Sequence, residues 1–238
     1  MLDYGFYNMD CMEGMKEFPD KYFDLAIVDP PYGGAGQDVN ETFNGAIQGR
    51  FGGTFEKYFK GDKRGHMGGG HAKKYGYGHW DIAPTKEYFK ELFRVSKNQI
   101  IWGGNYFELP PTRCFVIWKK LTISENFSMA MAEYAWTSFN DNAKVFEYAP
   151  QDKNRFHPTQ KPVALYEWLL NRYANDGDTI LDTHVGSGSS LIACRNTNHK
   201  YVGFEIDETY YKLAKERIVQ ETAQMNIFDY TNCNSKKI

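Results

Sequence analysis

Short apolar segments alternate with helical segments along most of this chain. Residues 24–28 and 98–102 are typical of buried strands, and residues 84–95 between them predict a helix with its apolar side chains on one side. Strands that are separated by helices favour a mostly parallel sheet covered by helices on both faces. The sequence therefore predicts an α/β fold of the doubly wound type.

The same alternation continues on both sides of that unit. Further strands are predicted over residues 6–8, 114–118, 133–139, 145–148, 178–181 and 201–205. Further helices are predicted over residues 11–18, 162–173, 189–196 and 208–221. We therefore expect a single domain over residues 1–238, with a polar tail after residue 226 that frays.

One stretch departs from this pattern. Fourteen of the 22 glycines lie between residues 33 and 78, where aliphatic side chains are few. Such a segment cannot supply its own core, so residues 33–80 are predicted to form a flexible insertion within the domain. Basic and aromatic residues alternate in it, which favours contact with the phosphates of DNA over a merely solvated loop. The candidate contacts are Arg50, Lys57, Lys63, Arg64, Lys73 and Lys74.

The composition limits the class of protein. No apolar run is long enough to span a membrane, and the first ten residues lack the basic start and apolar core of a signal peptide. The four cysteines lie far apart, which fits a reducing compartment, so we expect a cytoplasmic protein without disulfides. His66, His71 and His79 have no Cys or carboxylate partner at ligand spacing, so no metal site is predicted.

The predicted strand 24–28 is followed directly by Asp29-Pro30-Pro31-Tyr32. The carboxyl ends of parallel strands form the ligand crevice of such a sheet. The two prolines remove two backbone donors, so the Pro30 carbonyl and the Asp29 carboxylate can both face a ligand. Two acceptors beside the Tyr32 ring fit the exocyclic amino group of a nucleobase. The alternative interpretation is a loop opened by a proline pair.

A second motif joins a strand to a helix. The predicted strand 178–181 leads into Asp182 and a turn that carries Gly186 and Gly188. Glycines let the backbone approach a ligand closely, and the start of the following helix favours an anionic group. Glu205, at the end of the next strand, is positioned to accept hydrogen bonds from ribose hydroxyls. This half of the chain predicts a site for an adenosine-containing cofactor, with a glycine turn kept for packing as the alternative.

These motifs occur in an order that resembles one family. DPPY at residue 29, HPTQKP at 157, LDTHVGSGSS at 181 and YVGFEIDETYYKLAKERI at 201 resemble the amino-group DNA methyltransferases. Because DPPY precedes the glycine motif, the resemblance is to their β class, and it spans residues 4–220. It implies a Rossmann-like methyltransferase fold, S-adenosylmethionine as cofactor and double-stranded DNA as partner. A homodimer is plausible for so small a recognition region.

The resemblance implies roles for the motif residues. Asp29 and the Pro30 carbonyl would hold the target amino group, with Pro31 in the same rigid turn and Tyr32 stacked on the flipped base. Seven residues would form the cofactor site: Asp10, Cys11, Lys161, Asp182, Gly186, Gly188 and Glu205. Within that set the first two would contact the adenine, the lysine would border the methionine end, and the last would bind the ribose hydroxyls.

The chain departs from the family pattern at two places. Thr183-His184 stands where the family usually has Pro-Phe beside the cofactor, and Met9 replaces the glycine that opens the segment before Asp10. We expect the His184 change to weaken or reshape cofactor binding.

The predicted function is site-specific methylation of the amino group of adenine in DNA. Asp29 favours adenine over the amino group of cytosine, because cytosine enzymes of the family often carry Ser at this position. RNA and a protein glutamine amide are weaker alternatives. From other classes, a nucleotide-binding oxidoreductase would leave DPPY without a role, and an inactive DNA-binding scaffold would not need Asp29, Tyr32 and Glu205.

Overall fold

The computed structural model describes residues 1–32, 82–124, 130–150 and 155–234, with side chains as far as residue 223. One sheet of eight strands runs through this part of the chain. The strands are β1 (Gly5–Asn8), β2 (Phe23–Val28), β3 (Ser96–Trp102), β4 (Phe115–Lys120), β5 (Ala132–Thr137), β6 (Lys144–Tyr148), β7 (Thr179–Asp182) and β8 (Lys200–Glu205). The helices are α1 (Cys11–Lys16), α2 (Lys86–Val95), α3 (Val163–Tyr173), α4 (Ser189–Asn196) and α5 (Glu208–Asn234).

The strand order across the sheet is β1-β8-β7-β2-β3-β5-β4-β6. All neighbouring pairs are parallel except the two pairs made by β5, which runs antiparallel to both β3 and β4. The carboxyl ends of the seven other strands therefore meet at one edge of the sheet, together with the amino end of β5. The predicted fold class, a doubly wound and mostly parallel α/β sheet, is confirmed.

The chain leaves the centre of the sheet in opposite directions. From β2 it continues outward to β3, whereas from β7 it continues outward to β8 on the other side. β2 and β7 pair directly, with Leu25 opposite Ile180 and Ala26 opposite Leu181. The crevice of an open α/β sheet lies at such a point of reversal, outside the carboxyl ends of the strands. Asp29 and Pro30, directly after β2, and the loop after β7 flank this crevice.

The two faces of the sheet bury separate sets of apolar side chains. On one face Ala26 and Val28 of β2 pack in a cluster with Phe89 and Leu92 of α2. On the other face Leu25 and Ile27 pack with buried residues of α3 and α4, including Leu165, Leu169 and Ala193. Successive residues of β2 thus point to opposite faces, and both faces are covered by helices as predicted.

One predicted helix boundary is wrong. The last helix was expected to end at residue 221, but α5 continues to Asn234. The chain divides into two compact units, one of residues 1–30 and 84–238 and one of residues 31–83. Most of the second unit lies outside the described residues, so the single domain over residues 1–238 and the flexible insertion over 33–80 stay predictions. None of the helices in the described part of the chain has the length and apolar character needed to span a bilayer.

Candidate active site

The first motif begins where β2 ends. Asp29 follows Val28 at the carboxyl edge of the sheet, with its side chain only 12% exposed, and Pro30 is buried. Pro31 and Tyr32 come next in the chain and fall in the second compact unit. The roles of these four residues therefore rest on the position of Asp29 and Pro30 at the crevice and on the motif itself.

The Asp29 carboxylate has a cationic partner from another part of the chain. The Lys161 ammonium, 3% exposed, donates to Asp29 Oδ2. The same ammonium lies 3.2 Å from Glu133 Oε2 near the start of β5. Lys161 was predicted to border the methionine end of a cofactor, whereas its charged group is occupied by the DPPY aspartate. Its part in cofactor binding stays a prediction.

The second motif forms a tight loop after β7. Gly186 and Gly188 have positive φ angles of 55° and 82°, which L-amino acids with a Cβ adopt at a cost. A Cβ on Gly186 would lie 3.2 Å from the His157 ring, and one on Gly188 would lie 3.2 Å from Ile218. Glycine is needed at both positions because neither the backbone angle nor the space suits a side chain.

Glu205 ties the end of β8 to this loop. Its Oε2 accepts from the Gly186 backbone N–H at 2.8 Å, and its Oε1 accepts from the Asp207 N–H at 2.9 Å. Burial raises the pKa of Glu205, and these two hydrogen bonds oppose that rise. A carboxylate has about four acceptor sites, so each oxygen can accept one more donor, such as a ribose hydroxyl.

The Asp182 carboxylate, at the end of β7, accepts hydrogen bonds from the loop and from the helix that follows it. Its Oδ1 accepts from the His184 N–H at 3.0 Å, and its Oδ2 accepts from the Ser190 hydroxyl at the start of α4. Burial raises the pKa of Asp182 to about 7, against these hydrogen bonds. Both carboxylate oxygens therefore help to shape the turn, and any contact of Asp182 with a cofactor stays a prediction.

Ser189 and Arg217, which no sequence motif singled out, also make hydrogen bonds that hold the glycine loop. Ser189 Oγ donates to the Lys161 carbonyl at 2.7 Å, which joins α4 to the HPTQKP segment. Arg217 of α5 donates to the Ser187 carbonyl at 3.0 Å and to Ser189 Oγ at 2.9 Å. Arg217 lies about thirty residues beyond the loop, and only the packing of α5 brings it there.

His157 packs against the loop at Gly186. Its ring lies 4.3 Å from the Tyr210 ring in an edge-to-face arrangement. Burial, together with the positive charges of Lys161 and Arg155, lowers the pKa of His157 to about 4. The imidazole is therefore neutral near pH 7 and contributes shape to this wall.

The segment predicted to contact adenine follows β1. The Asp10 carboxylate caps α1 by accepting from the Met12 N–H at 2.6 Å. Burial and the Asp10 charge raise the pKa of the Cys11 thiol to about 12. The Met9 N–H donates to the Glu205 carbonyl at 3.1 Å, which brings this segment beside the end of β8. The contacts of Asp10 and Cys11 with a cofactor stay predictions.

Thr183 and His184, which replace the usual Pro-Phe of the family pattern, form a hydrogen-bonded group with Tyr88. The Tyr88 hydroxyl lies 2.6 Å from Thr183 Oγ1, which lies 2.9 Å from His184 Nδ1. The Tyr88 and His184 rings meet edge to face at 5.4 Å. Burial lowers the pKa of His184 to about 4, so this side chain is an uncharged ring at neutral pH. It supplies the flat surface of an aromatic residue at this position.

Several predicted residues cannot be placed. Arg50, Lys57, Lys63, Arg64, Lys73 and Lys74 lie outside the described residues, as do His66, His71 and His79. Within the described ranges, no group of three or more His, Cys, Asp and Glu side chains is arranged to hold a metal ion.

Comparison with known proteins finds DNA methyltransferases among the relatives of this chain. Residues 111–216 match the family model of the DNA methylases. The type II methyltransferase M.HpaI of Haemophilus parainfluenzae is 45% identical over 71 residues, which make up 29% of this chain and 23% of that protein. The type II methyltransferase M2.MboI of Moraxella bovis is 25% identical over 257 residues, covering 90% of this chain and 87% of that protein. With M.HpaI and with M2.DpnII of Streptococcus pneumoniae, the match spans about a quarter of the relative's length.

Solved structures share the fold at low sequence identity. The complex of M1.HpyAVI with SAM has a TM-score of 0.55 and 17% identity, over 90% of this chain and 98% of that one. The cytosine-N4-specific PvuII DNA methyltransferase has a TM-score of 0.54 and 12% identity, over 92% of both chains. These structures show a shared fold, and the match of residues 111–216 to the DNA methylase model agrees with the family resemblance predicted from the motifs.

Proposed function

We propose that this chain, which shares its fold and motif order with the amino-group DNA methyltransferases, methylates the amino group of a base in DNA. The observation that carries the proposal is the pairing of β2 with β7 at the reversal point of the sheet. It brings Asp29 and Pro30 of the DPPY motif and the glycine loop to neighbouring strand ends. An acceptor for an amino group and a loop for an adenosine-containing cofactor then flank one crevice.

The residues present fit S-adenosylmethionine. Gly186 and Gly188 have positive φ angles that suit glycine, and neither carries a side chain that would keep a ligand away from the loop backbone. Glu205 has acceptor capacity left on both oxygens for ribose hydroxyls. When bound, the cofactor supplies an activated methyl group on its sulfonium. The exact contacts of Asp10, Cys11 and Lys161 with it are part of the proposal.

The chain's own residues would act on the amino nitrogen. An exocyclic amine is a weak nucleophile because its lone pair is delocalised into the ring. Acceptors at the Asp29 carboxylate and the Pro30 carbonyl would favour a more tetrahedral nitrogen and stabilise the positive charge that develops on it. Tyr32 would stack on the base once it has left the duplex. Holding the two reacting groups together supplies much of the remaining acceleration.

Adenine is the target that we favour. Asp29 is the basis of this choice, as described for the family pattern. The PvuII enzyme of similar fold is named for cytosine N4, so the amino group of cytosine is the second candidate. Type II relatives support a place in restriction and modification of DNA. The basic residues of the insertion would hold the phosphates, and we infer a cytoplasmic location for a protein whose described cysteines are all free thiols.

The test is transfer of labelled methyl from S-adenosylmethionine to unmethylated DNA, followed by nucleoside analysis. We expect label in N6-methyladenine; label in N4-methylcytosine would retain the chemistry and overturn the choice of base. Asp29→Ala should lower kcat by about 100-fold or more, in the range found for removal of one electrostatic partner of a transition state. Asp20→Ala, at an exposed carboxylate paired with Arg94, is the matched control and should retain activity. No label in any DNA would overturn the proposal.

A further inference from the structure

Asp29 lies at one end of a row of four alternating charges. Its carboxylate accepts from the Lys161 ammonium, which also lies 3.2 Å from Glu133 Oε2. The other oxygen of Glu133 lies 2.6 Å from the Lys120 ammonium at the end of β4. The order is therefore negative, positive, negative, positive, and the row runs along the carboxyl edge of the sheet from β2 to β4.

Both lysines are buried, and a buried ammonium group is costly unless a carboxylate pairs with it. The Lys161 side chain is 3% exposed and that of Lys120 is 8% exposed. Burial lowers the pKa of Lys161, but the Asp29 and Glu133 carboxylates outweigh it and raise that pKa above its usual value. Burial raises the pKa of Glu133, but Lys161 and Lys120 outweigh it and lower that pKa. Lys161 and Glu133 are thus both charged at neutral pH, and Lys161 is no proton acceptor.

Lys161 is held in place from a third direction as well. Its ammonium lies 5.2 Å from the centre of the Trp102 ring, a cation–π distance, and this ring is fully buried at the end of β3. The Lys161 carbonyl accepts from Ser189 Oγ in the glycine loop. The residue therefore links the DPPY aspartate to the loop predicted to hold the cofactor.

The pairing creates a conflict that Glu133 relieves. Asp29 must be ionised to stabilise positive charge on the amino nitrogen with its own negative charge, and a cation beside it favours the ionised form. The same cation reduces the ability of Asp29 to stabilise positive charge on the amino nitrogen. The Glu133 carboxylate also pairs with Lys161. Less of the Asp29 charge is therefore neutralised by the lysine, and more of it acts on the amino nitrogen of the substrate.

We propose that Lys161 and Glu133 are positioning residues for Asp29. Lys161 holds the Asp29 carboxylate ionised and oriented, and Glu133 also pairs with Lys161, so that Asp29 does not have to neutralise the lysine charge alone. The inference rests on the proposed function, because it assigns Asp29 to the amino group of the target base. It gives Lys161 a role at the acceptor, in place of the role at the methionine end of the cofactor that the family resemblance implies.

The first test reads Asp29 directly and needs no turnover. The protein is labelled with aspartate carrying ¹³C at the carboxyl carbon, and the Asp29 signal is assigned by its loss in Asp29→Asn. Tyr88 of α2, Tyr166 of α3 and Asp182 of β7 also interact electrostatically with Asp29. None of these is altered in the variants compared, so the change in titration midpoint isolates the lysine pair.

The two variants should shift the midpoint in opposite directions. Lys161→Met removes the cation and should raise the Asp29 midpoint by about one pH unit or more. Glu133→Gln leaves Lys161 to Asp29 alone and should lower the midpoint. Lys119→Met, which breaks the half-exposed pair with Glu147 on the outer part of β4, should leave it unchanged. An unchanged midpoint in Lys161→Met, or a shift in the same direction in both variants, overturns the proposal. If Lys161→Met does not fold, Glu133→Gln alone decides by the sign of its shift.

Kinetics distinguish this role from cofactor binding. As a positioning residue, Lys161 should affect kcat. Lys161→Met should therefore lower kcat at least tenfold and leave the Kd of the cofactor little changed. Lys161→Arg should recover part of the lost kcat. A higher Kd with kcat unchanged would make Lys161 a cofactor residue and overturn the inference. If the wild-type protein transfers no methyl to DNA but the midpoints still shift in opposite directions, the proposed function fails and the pairing of Lys161 with Asp29 stands.

Discussion

Glu205, at the end of β8, accepts a hydrogen bond at 2.8 Å from the backbone N–H of Gly186 in the loop after β7. The two residues are nineteen positions apart in the sequence with the whole of α4 between them, and the contact closes the loop onto the neighbouring strand. A single carboxylate thus shapes the glycine loop and presents acceptors at the crevice.

Replacing Glu205 with Gln should weaken binding of S-adenosylmethionine more than it weakens the fold. The amide oxygen can still accept from Gly186, but the negative charge and one acceptor are lost. Hydrogen bonds to a charged group contribute about 1.5–3 kcal/mol, so the cofactor Kd should rise roughly 10- to 100-fold by calorimetry. Glu208→Gln, at an exposed residue paired with Lys212, is the control. Equal cofactor affinity in Glu205→Gln and the control would contradict the assignment of the ribose to Glu205.

Replacing Gly186 with Ala should affect both stability and cofactor binding. The backbone has φ of 55°, and the added Cβ would press on the His157 ring at 3.2 Å. The left-handed conformation costs about 1–2 kcal/mol for a residue with a Cβ, and the contact adds to that cost. Urea unfolding and cofactor titration would measure the two effects.

Gly177→Ala is the matched control for this strain. Gly177 has φ of 85°, but a Cβ there would meet nothing within 4 Å, and the residue precedes β7 away from its carboxyl end. It should lose a similar amount of stability from the backbone alone and keep wild-type cofactor affinity. If both alanine variants bind the cofactor equally well, the glycine loop is not the site.

Replacing Arg217 with Met should destabilise the glycine loop. The guanidinium donates to the Ser187 carbonyl and to Ser189 Oγ, and its side chain is 13% exposed. Loss of these charge-assisted bonds should reduce the free energy of unfolding by about 2–3 kcal/mol. Arg195→Met is the control, because Arg195 is exposed and donates to Thr222 at the surface. A loss of stability no larger than in the control would mean that α5 holds the loop without this side chain.

Replacing His184 with Phe should change how stability depends on pH. Burial lowers the pKa of His184 to about 4, below its ordinary value of 6.5, so between these values the unfolded chain binds more protons than the folded one. The stability linked to neutral His184 is complete above pH 6.5 and is lost as the pH falls toward 4. The stability of His184→Phe relative to wild type should therefore improve over that window, by up to about 1.4 kcal/mol per pH unit.

The difference between the two proteins is the quantity to measure, by urea unfolding at several pH values. Asp182, with its pKa raised to about 7, contributes with the opposite sign over the same range, because the folded state binds its proton more readily. Subtracting wild type from His184→Phe removes that contribution. A difference that stays constant from pH 6.5 to 4 would show that His184 is not held in an uncharged state.

Strand and helix positions were largely predictable because they depend on local patterns. The alternation of apolar segments predicted β2, β3 and α2 within about two residues, since burial on one or two faces imposes its period on the chain. The motif after β2 and the glycine loop after β7 were predictable for the same reason, as turn chemistry follows from Pro and Gly at fixed positions. The end of α5 was not predicted, because a polar sequence compatible with a helix carries little signal for where it stops.

The amino-acid sequence alone determined the parallel α/β architecture, the two motifs and their order along the chain. It could not determine which side chains meet across long separations in sequence. Only the tertiary structure decided that Lys161 pairs with Asp29 and Glu133, and that Arg217 reaches Ser187. The physical reason is that strand propensity and turn geometry are local, whereas a buried charge finds its partner only after the sheet order has brought distant strand ends together.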